Sequence, residues 1–283
     1  MTIRAMYRKS SMSDAQKQTA FALEAIVMEL AFTLGPLAVT VALLTGHAAT
    51  AVLGSAALAC IGTWLFARSG ALERWGNVER GEDIVRHWSG PLKISAVRRA
   101  LLLSAMFGTG IGLLEISLPA FAEFAGNKAL VGWLFAALSI PSAIAGFVYG
   151  TWHVKTPLNK QILMCAAWLA GGAALMAAMD TFAPYVLMCV LAGLAFGPMI
   201  TALSLQLGKL TPVEYSTEAF TWSMTVFLIG MGTGFTVGGG LIETVNWTNG
   251  WRASLLASVA LFVAAGLSCL AIPEVRNDGS GGH

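Results

Sequence analysis

The chain has 283 residues, of which 56% are apolar and only 11% charged, with a mean hydropathy of +0.70 and a formal net charge of +2. Soluble domains carry about 25% charged residues, so this composition has too little polar surface to face water, and lipid is the solvent that tolerates it. The small net charge argues against nucleic acid as a partner, and four scattered histidines with four cysteines lacking CxxC spacing give no disulfide, metal centre or cofactor to expect.

In chain order, the first 18 residues hold Arg4, Arg8, Lys9, Asp14 and Lys17 with no apolar core, which is not a cleavable signal. A helix crossing about 30 Å of hydrocarbon needs about 20 apolar residues. The run 20–46 meets that length with two carboxylates inside it, Glu24 and Glu29. Glu29 lies about 13 Å into the run at 1.5 Å per residue, close to mid-membrane. Gly35-Pro36 follows within the same span, and a second span covers 49–67. The segment 68–99 then carries Glu73, Arg74, Glu79, Arg80, Glu82, Asp83, Arg86, Lys93, Arg98 and Arg99. It reads as a solvated connector, and Trp75 and Trp88 among the charges allow an interfacial helix.

Span 100–121 holds Gly108, Gly112 and one charge, Glu115, about 22 Å in and in the outward third. A charged carboxylate inside a membrane is costly and marks a site by default. Glu29 and Glu115 are therefore candidates for carrying a coupling proton or pairing with a substrate cation. A hydrogen-bonded helix–helix contact is the competing reading.

Span 129–149 is followed by Gly150-Thr-Trp-His-Val-Lys155-Thr-Pro-Leu-Asn-Lys160 and then by spans 161–179 and 183–208; the prolines inside spans, Pro36, Pro119, Pro141 and Pro198, are of the kind membrane helices tolerate when neighbours satisfy the freed groups. Span 219–242 has Gly230, Gly234 and Gly238 at four-residue spacing. Small residues one turn apart let two helix backbones approach closely, so these three, with Gly108, Gly112 and the Gly35-Pro36 pair, are expected at helix-packing or gating contacts. Trp168, Trp222, Phe227 and Phe235 are candidates for an apolar path, with core packing the competing reading. Asn249-Gly250-Trp251-Arg252 leads into the last span, 253–273.

Fifteen of the seventeen Lys and Arg residues fall in the N-terminal tail, alternate loops and the C-terminal tail, and only Lys128 and Arg252 fall on the other side. That asymmetry predicts an all-α membrane protein of about eight transmembrane helices, in the cell membrane, with both termini cytoplasmic. No nucleophile–base pair, phosphate loop or HExxH is present, so no enzyme is expected. The pair Ala20-Phe21 with Gly35 recurs as Ala219-Phe220 with Gly234 at an offset of 199, a hint of repeated halves.

These features resemble the C-terminal two-thirds of a major facilitator superfamily permease, helices five to twelve of its twelve. Gly35-Pro36 is similar to the fifth-helix Gly-Pro of efflux-type members, although Leu37-Ala38-Val39-Thr40 stands where they have paired glycines. Gly150, Lys155 and Lys160 fall where the family repeats its Gly-rich basic loop motif, here without its acidic residue and central Arg. Asn249-Gly250-Trp251-Arg252 also resembles common members.

The resemblance implies two helices of a first half in 1–69 and an inter-half loop in 70–99. It further implies a complete six-helix second half in 100–273 and a cytoplasmic tail in 274–283. It implies secondary active transport of a small solute across the lipid bilayer, with proton coupling and efflux as the expected mode. The alternative is a truncated, transport-incompetent or accessory protein that needs a partner chain to supply the missing helices.

Overall fold

The computed structural model describes residues 13, 16–24, 26–27, 31, 48–68, 89–127, 130–152, 156–245 and 249–274. Every regular element among the described residues is helical. In lipid each backbone polar group must be satisfied inside its own segment, which leaves the helix as the way for one apolar run to cross. Six helices are long and apolar enough to do so, and with two more helical segments near the start the expected eight-helix architecture fits.

The chain divides into two compact units, Leu30–His87 and the combination of Met1–Glu29 with Trp88–His283. In the first, the described helix is α2 (Ala48–Ala67), apolar around its circumference, with Val52, Leu53, Leu58 and Ile61 exposed as lipid-facing residues are. Its end is marked by Arg68, whose guanidinium lies 4.1 Å from the Trp64 ring.

The second unit contains helical residues 16–24, 26 and 27 (α1), α3 (Ser95–Phe124), α4 (Leu130–Thr151), α5 (Leu158–Ala177), α6 (Phe182–Gly193), α7 (Phe196–Leu210), α8 (Ser216–Val245) and α9 (Gly250–Cys269). The last seven form a bundle in which α6 and α7 are two halves of one span, Phe182–Leu210. Packing runs from α4 to α6 and α7, then to α5, α9, α3 and α8, and α3 also touches α4 and α7 to close the ring. Phe107 of α3 sits at its centre, with its ring 5.8 Å from Phe196 of α7, 5.8 Å from Phe227 of α8 and 6.2 Å from Phe262 of α9.

Helices α3, α5 and α8 begin at one end of the bundle, here the basic end because Arg98, Arg99, Lys160 and Lys209 gather there; α4, α7 and α9 finish there. The opposite end is the far end. Three helices start from a proline-fixed turn. Pro91–Lys93 precedes α3, Pro157 precedes α5, and Pro212 with Val213–Tyr215 precedes α8. A proline costs nothing where the first N–H groups have no helical partner. Arg98 ties the first of these turns by donating to the Leu92 and Lys93 carbonyls at 2.8 and 3.2 Å.

The last carbonyls of a helix lack intrahelical donors, and here side chains of other helices supply them. Asn159 of α5 donates to the Cys269 and Ile272 carbonyls at the end of α9, at 3.3 and 2.7 Å, and Arg99 of α3 donates to that of Ala271. At the far end Arg252 of α9 donates to the Ala177 carbonyl that ends α5, at 3.1 Å. Residues distant in sequence thus bind the spans at both ends.

Candidate functional site

Three features converge on the middle and far third of the bundle: a close helix crossing, a carboxylate beside it, and a broken span.

The crossing joins α3 and α8. A Cβ added to Gly108 or Gly112 would strike the carbonyl oxygen of Phe227 or Met231, and one added to Gly230 or Gly234 would strike that of Ala105 or Thr109. Each helix therefore offers its glycine Cα–H groups to the other's carbonyls, a reciprocal contact of the weak Cα–H···O kind. Gly238 extends the row, its face filled by Ile116 and Ser254 side chains. The opposite face of α8 is exposed and carries Thr221, Thr225, Thr233 and Thr236. Each of their hydroxyls donates to the carbonyl four residues back at 2.8–2.9 Å, which keeps them satisfied in an apolar medium.

Glu115 is half-buried on α3, three residues past Gly112 and next to Ile116. That spacing sets it on the stripe that α3 turns toward α8, at the edge of the crossing. Polar groups lie at the same depth. Ser117 has its hydroxyl 3.4 Å from that of Tyr185 on α6, and Ser254 of α9 donates to the Leu113 carbonyl at 2.7 Å. Beyond them Tyr185 stacks on Phe121 at 3.6 Å between ring centroids, with Trp251 edge-on to both. Arg252 covers the stack, 4.4 Å from the Trp251 ring, and pairs with Asp180 while bonding Asn249 Oδ1 at 2.8 Å. Gly250 abuts the Ile242 backbone. Asn249-Gly250-Trp251-Arg252 is thus the seal of the far end.

The broken span is explained by its sequence. Pro198 has no N–H to give the Leu194 carbonyl, and its ring crowds that carbonyl. The helix stops at Gly193 and restarts at Phe196. At the break the Ala195 N–H turns to the Ala192 carbonyl at 3.2 Å, so the Leu191 carbonyl loses its ordinary donor. Trp168 of α5 replaces it, its indole N–H donating at 2.6 Å. On the other side Gly193 and Gly197 press against the Leu138 and Ser142 carbonyls of α4, where any side chain would collide. Interrupted helices at mid-membrane are where secondary transporters build solute and ion sites.

At the basic end α1 is seated on the bundle. Gln18 donates to the Tyr149 and Trp152 carbonyls at 2.6 and 3.0 Å, and Thr19 donates to that of Gly150 at 2.7 Å. These are carbonyls of the last turn of α4 and of the residue that follows it. The Ala22 methyl rests where a Gly150 side chain would be, and the Phe21 ring lies 5.8 Å from that of Phe220.

Of the residues singled out in the sequence, Glu29, Gly35, Pro36 and Lys155 lie outside the described residues. Gly150 and Lys160, expected in a loop, lie in the last turn of α4 and the first turn of α5, because both helices run on past their apolar stretches. Trp168 faces outward with its N–H engaged, whereas Trp222 and Phe227 pack against the core. Gln18 and Asn159 carried no sequence signal, since their partners lie tens of residues or more away. Among the described residues no group of His, Cys, Asp or Glu is arranged to hold a metal.

The six-span bundle, its glycine crossing and its proline-broken span make the chain an α-helical polytopic membrane protein. The model of the Major Facilitator Superfamily matches residues 100–282, and the chain belongs to that family. Among solved structures it is similar to the human organic anion transporter MFSD10 (TETRAN), with a TM-score of 0.70 and 18% identity over 94% of this chain and 66% of that one. The likeness is one of fold, and the chain spans just under two-thirds of that protein's length. No curated protein matches the sequence.

Proposed function

We propose that this chain performs proton-coupled secondary transport of a small apolar solute, in the direction of efflux, with Glu115 carrying the proton. The observation that supports it most is the placement of Glu115 at the edge of the α3–α8 glycine crossing, one helical face shared by a titratable group and a close backbone contact. Movement of the crossing would change the carboxyl's surroundings, which is what coupling needs. Glu29 is the second candidate. The solved relative is named for organic anions, but spans 100–121, 129–149, 161–179, 183–208, 219–242 and 253–273 hold no Lys or Arg. A neutral or cationic solute suits these walls better.

In this proposal residues 1–69 end a first half, 70–99 link the halves and 100–273 are the second half, in the cell membrane with the basic end cytoplasmic. A second reading is that a partner chain supplies further helices. Purified protein in vesicles with an imposed pH gradient tests both. Glu115→Gln is expected to reduce driven uptake of a hydrophobic cation to the undriven level with unchanged protein content; unchanged driven flux removes Glu115 from the mechanism. Stable protein without any flux turns the case to the second reading.

A further inference from the structure

The basic end carries exposed cations that take no part in the proposed proton coupling. Arg98 and Arg99 of α3 and Lys160 of α5 are exposed, and none of the three pairs with a carboxylate among the described residues. The far end differs: its Arg252 is locked to Asp180 and stacked on Trp251. Helix α9 packs between α3 and α5, and the three cations bracket its end. Arg99 donates to the Ala271 carbonyl from one side; Asn159, next to Lys160, donates to the Cys269 and Ile272 carbonyls from the other. These bonds occupy carbonyls at the end of α9, the groups that would otherwise repel an anion. The carboxylate of that turn is Glu274, a single negative charge beside the three cations.

Beneath the cations, counted into the membrane, each of the three helices turns an apolar face outward. Leu102 lies one turn past Arg98, Met164 and Trp168 lie one and two turns past Lys160, and α9 exposes Leu270, Leu267 and Val263 between them. Steps of three and four residues keep each set on one helix face. The α5–α9 contact runs through Gly266 against Leu163 and Ala166. The two helices are antiparallel, so Met164 and Leu267, each one residue further on, border the same side of that contact. Lys160 to Trp168 is eight residues, about 12 Å at the helical rise, which covers most of a leaflet of about 15 Å.

We propose that the outer face of α9, flanked by α3 and α5, binds an anionic phospholipid of the leaflet at the basic end. Its phosphate lies on Arg99 and Lys160, and its acyl chains run along Leu102, Leu267, Leu270 and Met164. A guanidinium has five N–H donors, and the carbonyl bond of Arg99 engages only Nη1. Basic residues at the membrane boundary attract anionic headgroups, and the apolar face in register below them selects a lipid over a free phosphate. The site uses neither Glu115 nor the glycine crossing and does not depend on the transport function.

The test places the full chain in phosphatidylcholine vesicles with a trace of either phosphatidylglycerol or phosphatidylcholine carrying the same diazirine-bearing acyl chain. Labelled residues are read by mass spectrometry. The phosphatidylglycerol probe is expected to label Leu102, Met164, Leu267 and Leu270 about ten-fold more than the phosphatidylcholine probe. On the exposed α4 residues Ile144 and Phe147 the two probes should label equally. Lys160→Gln alters one exposed side chain and should lower the ratio by about five-fold, and Lys160→Arg should retain it. Lys17→Gln, which removes a cation of the same end from α1, should leave the ratio unchanged. Equal labelling by the two probes in the unaltered protein, where folding is not in question, overturns the proposal, as does an unchanged ratio in Lys160→Gln. Loss of the preference on adding excess inorganic phosphate at fixed ionic strength would show a site for the free anion, and also overturns it.

Discussion

At the scale of single residues, glycines on one helix have opposite jobs. Gly234 and Gly232 lie two positions apart on α8, yet a Cβ on Gly234 would strike the Thr109 carbonyl and come within 2.9 Å of Gly112 Cα and Leu113 N. A Cβ on Gly232 meets nothing within 4 Å. Gly234→Ala must push α8 off α3, and overpacking of this kind costs about 1–3 kcal/mol. Gly232→Ala exchanges the poorest ordinary helix former for the best, a gain of up to about 1 kcal/mol. Thermal unfolding in detergent is expected to show Tm falling for the first and holding or rising for the second. Equal falls would mean that α3 and α8 do not touch through these glycines. The four-residue spacing that separates Gly230, Gly234 and Gly238 from Gly232, Gly239 and Gly240 was legible in the sequence; that their partner is α3 was not, because the two helices lie far apart in the chain.

At the scale of elements, the spans were legible because lipid demands long apolar runs, and their ends were less so. Helix α3 covers Ser95–Phe124 where the apolar run is 100–121, and α8 covers Ser216–Val245 where it is 219–242. Backbone hydrogen bonding carries a helix past the hydrocarbon into the interface, so loss of apolarity does not end it. The break in Phe182–Leu210 was hidden for the opposite reason: membrane helices tolerate proline when neighbours satisfy the freed groups, and the neighbour here is Trp168 from another span. Trp168→Phe keeps the ring and deletes the donor. Hydrogen bonds between membrane helices average about 0.6 kcal/mol, so Tm should fall by only about 2 °C, while the break loses its tie. Hydrogen exchange of the Ala195 amide should quicken by about three-fold at unchanged exchange in α9. No change at Ala195 would show that the indole does not secure the break.

At the scale of the whole molecule, the ends of the bundle are fastened by side chains reaching across the sequence. The seat of α1 is the case with most consequence, since Gln18 and Thr19 hold the end of a helix 131 to 134 residues away. The chemistry is asymmetric. Water at a membrane boundary can replace a lost donor at an exposed carbonyl, but Gln18 is 1% exposed and Phe21 and Ala22 shield the place. Replacing Gln18 by leucine therefore leaves the Tyr149 and Trp152 carbonyls without these donors in a dry contact, a loss of about 1–3 kcal/mol. The cost falls on the docking of α1 against the end of α4. Gln18→Leu is expected to speed amide exchange across residues 18–24 by roughly ten-fold and to leave α3 and α9 protected as before, whereas Leu23→Ala, on the exposed face of the same helix, should change little. Exchange that is unaltered in α1 would mean that the apolar contacts of Phe21 and Ala22 alone hold it, and the carbonyl caps would then be a consequence of docking and not its cause.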